Sequence, residues 1–249
     1  MFPIADDNPT RTRPVVTYGL IGLNIVVSLW QWALPPEPAR EMVYALGMIP
    51  AVLFGSQTLP PEIALVPAWM TIFTSMFLHG GLLHLAGNML FLWIFADNVE
   101  EAMGRAPFVV FYLLCGIGAA LGQALLDPGS TVPMVGASGA ISGVLGAYIL
   151  LYPHATVRTI VIFGFFVQLL HVPAYVVLGL WFAIQLASGL MSPAGEAGVA
   201  FWAHIGGFLA GLALVPLFRR RHIALLQPRR AEPWARERVT RMGPWGPRE

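Results

Sequence analysis

Residues 136–147 read Gly136-Ala137-Ser138-Gly139-Ala140-Ile141-Ser142-Gly143-Val144-Leu145-Gly146-Ala147. Small residues cover most of the circumference of such a helix, so other helices can approach its backbone closely from several sides. The segment is therefore expected to be the central helix of a bundle. Around it, 57% of the 249 residues are hydrophobic and 11% are charged, and the mean hydropathy is +0.69. A soluble domain carries about 25% charged residues, so this chain has too few to cover a water-facing surface. It reads as an integral membrane protein.

With roughly 20 residues per crossing, six spans emerge at 15–34, 82–99, 107–126, 136–152, 173–190 and 199–218. Segment 156–172 is apolar enough for another crossing, but Pro173 breaks it from the next span. It is expected to be interfacial or re-entrant. Parity favours this reading. Ser138 and His204 both lie near the N-terminal ends of their spans and share a membrane depth only if a single crossing separates those spans. The charges agree. Six spans put Arg11, Arg13, Arg105, Arg158 and the basic run from Arg219 on one side and only Arg40 on the other, as the positive-inside rule requires.

The expected organisation is thus a cytoplasmic segment 1–14, a six-helix membrane domain 15–218 and a basic tail 219–249, rich in Arg and Pro and expected to be disordered. The run 15–34 follows two arginines but is as long as a full span and lacks a small-x-small cleavage site, so it reads as a retained helix. Segment 35–81 is a long, proline-rich outer connection, of the kind that is functional or disordered. Trp69, with Trp30 and Trp32, fits an interfacial aromatic belt. Cys115 is the single cysteine, which excludes an internal disulfide. A net charge of +1 points to no nucleic-acid partner.

Polar groups with chemical potential gather at the start of three spans. Ser138 is a weak nucleophile at its free pKa and needs an adjacent base. His204, in Ala203-His204-Ile205-Gly206-Gly207, is of the right type, because an imidazole exchanges protons near neutral pH. It lies three residues before Gly207 of the Gly207-xxx-Gly211 face, so packing of that face on 136–147 would bring it towards Ser138. The first turn of a helix from Ser138 offers free N–H groups to a developing oxyanion. His84 and Asn88, four apart on one face, can donate to the same oxyanion. Spans two, four and six run parallel in this scheme, so all these groups share one depth. Gly136 and Gly139 leave room for a substrate backbone.

The bland alternative for each small-residue motif, Gly118-xxx-Gly122 included, is helix packing. A zinc site from His79, His84 and His204 is disfavoured, because the spacing lacks the His-Glu-x-x-His pattern. No metal or other cofactor is expected. His154, His171 and His222 read as interfacial or solvated. Asp97, Glu100 and Glu101 read as a solvated helix boundary, and Trp93 and Trp181 as lipid-facing or packing groups. A transporter would spread polar groups through several spans, whereas here they cluster at one depth.

Taken together, Phe77-Leu78-His79 through His84 to Asn88, Gly-Ala-Ser-Gly at 136–139, and Ala203-His204 leading to Gly207-xxx-Gly211 resemble the rhomboid family of intramembrane serine proteases. The resemblance covers about 15–218 and implies an all-α, six-helix membrane bundle with a long outer loop between the first two helices. It implies a Ser138–His204 dyad, an oxyanion hole from the Ser138 N–H, His84 and Asn88, and a structural role for His79. It further implies single-pass membrane substrates in the bilayer, cleaved near the outer face, with span five and the 190–200 connection as a lateral gate. The expected location is a bacterial inner membrane with both termini cytoplasmic. Two positions depart from some members: Met70 stands where they have Arg, and Ser142 where they have Tyr. The competing reading is a catalytically silent client-binding relative, although such proteins typically lose the serine or the histidine.

Overall fold

The computed structural model describes residues 2–164, 166–192, 198–228, 242–243 and 246–247. Six apolar helices form the bundle: α1 (Val15–Ala33), α5 (Leu82–Met103), α6 (Arg105–Leu126), α7 (Ser138–Leu151), α8 (Ala174–Met191) and α9 (Phe201–Phe218). Five are long and apolar enough to cross a membrane, and α7 is the exception with 14 residues. At 1.5 Å per residue it rises about 21 Å against a hydrocarbon core of about 30 Å. A helix this short can begin well inside the bilayer, and nearly all of its side chains are buried among its neighbours. The protein is a multi-pass integral membrane protein.

Glycine sets how closely α7 is held. A Cβ on Gly207 of α9 would run into the Gly139 carbonyl, and one on Gly211 into the Gly143 carbonyl. On the other side of α9, a Cβ at Gly122 of α6 would come 2.7 Å from the Trp202 carbonyl and 2.9 Å from Gly206 Cα. The small-residue stripes are therefore backbone-to-backbone contacts in which close packing takes the place of hydrophobic segregation. Larger side chains fill the opposite end of the core, where Phe95, Phe108, Phe111 and Tyr148 are completely buried.

The connections carry regular structure of their own. Segment 35–81 is largely structured, with α2 (Pro36–Leu46), α3 (Pro50–Leu53) and α4 (Thr71–Thr74) flanked by two single 3₁₀ turns. Prolines open α2 and α3, where a missing N–H costs nothing. With Met at position 70, the connection is tied by Thr74 Oγ1 donating to the Leu46 carbonyl (2.6 Å) and by a Met48–Met134 backbone bridge (3.0 and 2.8 Å).

Segment 156–172 forms an antiparallel hairpin of β2 (Thr156–Phe163) and β3 (Phe166–Pro173), and β1 (Phe2–Asp6) adds to β2 as a third strand. The β-branched run Thr156-Val157 and Thr159-Ile160-Val161-Ile162 favours extended backbone, and Gly164 at φ +57° makes the turn. The N-terminal segment 1–14 thus contains a paired strand. Residues 219–228, expected in the tail, pack back on the bundle. Arg220 N donates to the Ala102 carbonyl (2.8 Å), and Leu226 N and Gln227 N donate to Leu150 and Leu151 (2.8 and 2.9 Å). The remainder of the expected disordered tail lies outside the described residues, apart from two two-residue strands.

The acidic end of α5 is also corrected. Glu100 is buried rather than solvated, and its carboxylate accepts from Thr17 N (2.8 Å), Thr17 Oγ1 (2.8 Å) and Val16 N (3.1 Å). The first N–H groups of any helix lack intrahelical partners, and Pro14 at the N-cap of α1 has no side chain to satisfy them. A carboxylate from a neighbouring helix does so, aided by the positive end of the helix dipole. Glu101 accepts from Arg11 N at 3.0 Å.

Candidate active site

The N-termini of α5, α7 and α9 meet at one end of the bundle around a cavity of about 590 Å³. Ser138 is the first residue of α7, and no side chain caps this helix. The turn before it is built around Gly136, whose φ of +124° disfavours any other residue. Gly136 N donates to the Ser75 carbonyl at 2.8 Å. A Cβ there would also lie 2.8 Å from His84 Cε1 and Nε2, so glycine is required twice over.

His204, on the first turn of α9, reaches Ser138: the Nε2···Oγ distance is 2.8 Å. Its other nitrogen, Nδ1, lies 2.7 Å from Oε1 of Gln185 on α8. Gln185 is a site residue that the sequence pattern alone does not single out. A signal exists, because an amide side chain inside an apolar span is costly unless it is used. The Trp181 ring packs on the imidazole with centroids 5.9 Å apart. It is a packing group, as expected, but its packing partner is His204.

His84 and Asn88 line the same cavity as Ser138 and His204. Asn88 is buried, and its Nδ2 finds no hydrogen-bond partner among the described residues. A buried amide donor left free is costly, so this group is poised for an acceptor entering the cavity. His79 is fully buried and stands behind the site. Its Nδ1 is 3.0 Å from Ser28 Oγ of α1, its backbone exchanges two 3.1 Å bonds with the Gln31 amide, and its ring meets the His84 ring edge-on at 5.2 Å. Burial pushes the His79 imidazole down to about 4, so it is neutral in the fold.

The Ser142 hydroxyl donates to the Ser138 carbonyl at 2.6 Å. Gly139 and Gly207 form the close α7–α9 contact already described, and Gly211 repeats it one turn on. His154 packs on Tyr175, while His171 and His222 are exposed. No group of three or more His, Cys, Asp or Glu suited to a metal ion occurs among the described residues. The 190–200 connection, expected as part of a gate, falls partly outside the described residues.

A polytopic helical bundle with a serine–imidazole pair lining one cavity defines the class of protein. The profile of the Rhomboid domain matches residues 67–221. Rhomboid protease AarA of Providencia stuartii is 31% identical over 219 residues, covering 79% of this chain and 69% of that protein. Rhomboid protein 1, mitochondrial, of Saccharomyces cerevisiae is 32% identical over 230 residues, covering 80% and 63%. Rhomboid-like protein 11, chloroplastic, of Arabidopsis thaliana is 32% identical over 158 residues, covering 62% and 54%. The chain belongs to the rhomboid family, and it spans between about half and two thirds of the length of these relatives.

Proposed function

We propose that the protein is an intramembrane serine endopeptidase acting on single-pass membrane proteins. The observation that carries this reading is the 2.8 Å contact between Ser138 Oγ and His204 Nε2 in a cavity that also presents the unpartnered Asn88 amide. Ser138 Oγ attacks the peptide carbonyl carbon while His204 Nε2 takes its proton. The oxyanion is held by the Ser138 N–H at the start of α7, by Asn88 Nδ2 and by His84. The imidazolium then protonates the leaving amine, and a water, activated by the same nitrogen, releases the acyl group. A cavity of about 590 Å³ is large enough to admit the hydrolytic water beside the polar groups of the site.

The arginine distribution supports an orientation with both termini cytoplasmic and the cavity towards the outer face, where cleavage would fall. The membrane is proposed to be a bacterial inner membrane, and the relatives include the Providencia stuartii protease beside mitochondrial and chloroplastic proteins. The organisation into a segment 1–14, a catalytic domain 15–218 and a basic tail 219–249 is part of the same proposal.

The test is labelling of the detergent-solubilised protein with a fluorophosphonate, run beside cleavage of a single-pass model substrate. Labelling and cleavage are expected in the native protein and absent in Ser138→Ala and His204→Ala. A folded native protein that neither labels nor cleaves would instead support a client-binding role.

A further inference from the structure

We infer that Gln185 is a positioning residue for His204, holding it in the one tautomer that can accept the Ser138 proton, and that α8 therefore supplies the third member of the catalytic group. This rests on the protease reading above.

The geometry is specific. Gln185 Oε1 can only accept, so the 2.7 Å contact places the imidazole proton on Nδ1. A neutral imidazole carries one N–H, which leaves a lone pair on Nε2 facing Ser138 Oγ at 2.8 Å. When Nε2 takes the serine proton, the Nδ1–H···Oε1 bond becomes charge-assisted and strengthens in the charged form. No carboxylate among the described residues hydrogen-bonds the ring. An amide at this position avoids the heavy desolvation penalty of a buried ion, which is severe within a bilayer.

The surroundings fix the placement. Gln185 is 8% exposed on a helix whose Leu180, Ile184 and Leu190 face outward, so its amide points inward along the Trp181–Gln185–Gly189 row of α8. Gly189 permits this row to close on α9, because a Cβ there would already lie 3.3 Å from Phe201 Cβ and 3.4 Å from the Trp202 ring. Trp181, one turn before Gln185, covers the imidazole face at 5.9 Å and also meets Phe208 at 6.2 Å. Ser142 on α7 is committed to the Ser138 carbonyl and cannot orient the ring. Edge and face of the base are thus both set by α8.

The experiment uses the full chain, with Gln185→Met, Gln185→Asn and Gln185→Glu compared by kcat and KM for a single-pass substrate, by fluorophosphonate labelling rate and by thermal midpoint. Gln185→Met removes the acceptor at nearly constant volume, and Gln185→Asn withdraws it on a shorter arm. Both are expected to lower kcat and labelling rate about 10- to 100-fold, the size of one hydrogen bond to a charged group, with KM within about twofold. Gln185→Glu, held as the neutral acid in this buried position, restores a carbonyl acceptor oxygen and is expected to recover most of kcat. Wild-type kcat in a folded Met or Asn variant overturns the inference, as does a loss that Glu does not rescue. A native chain that labels no more than Ser138→Ala overturns the protease reading itself and this inference with it. Where the native chain labels and cleaves, the protease reading stands, and the Gln185 variants alone decide the positioning role.

Discussion

The Gly207 Cα of α9 lies so close to the Gly139 carbonyl of α7 that a single added methyl group would overlap it. The contact is backbone on backbone, and neither helix can yield without disturbing Ser138 or His204, which stand one residue before Gly139 and three before Gly207. Gly207→Val is therefore expected to abolish cleavage and to lower the thermal midpoint, since overpacking costs typically 1–3 kcal/mol even where some relaxation is possible. Full activity and an unchanged midpoint would show that α7 and α9 are not held this way.

Asn88 provides a cleaner probe of chemistry. Its Nδ2 has no hydrogen-bond partner among the described residues, so its loss breaks no hydrogen bond made by that nitrogen in the resting fold. Asn88→Ala is expected to lower kcat by about 10²–10³, the usual effect of one oxyanion donor, at little cost in thermal midpoint. Steady-state cleavage kinetics decide it, and an unchanged kcat would remove Asn88 from the oxyanion hole.

The Glu100 carboxylate takes three hydrogen bonds from the first turn of α1, at the end of the bundle away from Ser138. Glu100→Ala orphans those donors and is expected to destabilise by about 1–3 kcal/mol. The value of kcat measured well below the midpoint should be unaltered. A thermal scan with activity measured in parallel tests this, and a variant as stable as wild type would refute the capping role.

Stability should also depend on pH through Asp6. The Asp6 carboxyl accepts from the Tyr148 hydroxyl, and burial, with Asp97 and Asp7 nearby, raises it from 3.8 to about 7. The folded chain holds this proton more tightly than the unfolded chain. The stability it contributes is therefore complete below about 4 and is lost as pH rises to about 7. His79 acts in the opposite sense: depressed from 6.5 to about 4, it contributes stability above 6.5 that is lost as pH falls. The difference between wild type and Asp6→Asn isolates the first effect. Thermal midpoints measured from about pH 3.5 to about pH 8, a range that brackets this loss, are expected to show the variant gaining on wild type as pH rises. A constant difference would mean that Asp6 does not titrate in this range.

Much of this protein is legible along the chain, because membrane insertion is governed by local composition. Five of the spans announce themselves by about 20 apolar residues, while the 14-residue α7 is marked by its small residues and 156–172 is set apart by Pro173 and by parity. Parity is a linear property as well. With six crossings supported by the arginine distribution, parity puts His84, Asn88, Ser138 and His204 at one end of the bundle, and the structure places them around one cavity. Glycine stripes likewise mark which faces pack closely, since only small residues permit such contact.

What the tertiary structure alone decided are the partners that lie far apart in sequence. Gln185 looks like any isolated amide in an apolar span, and only the rotation of α8 against α9 turns it towards His204. Glu100 looks solvated by its neighbours in sequence, yet the N-terminus of α1, more than 80 residues earlier, claims it. The hairpin at 156–173 takes its third strand from residues 2–6, and 219–228 fold back onto α5 and the C-terminal end of α7. Composition and periodicity determine depth, face and order, because these depend on transfer from water to lipid one segment at a time. Hydrogen-bond partnership depends on how rigid helices are rotated and stacked against one another, and no single segment contains that information.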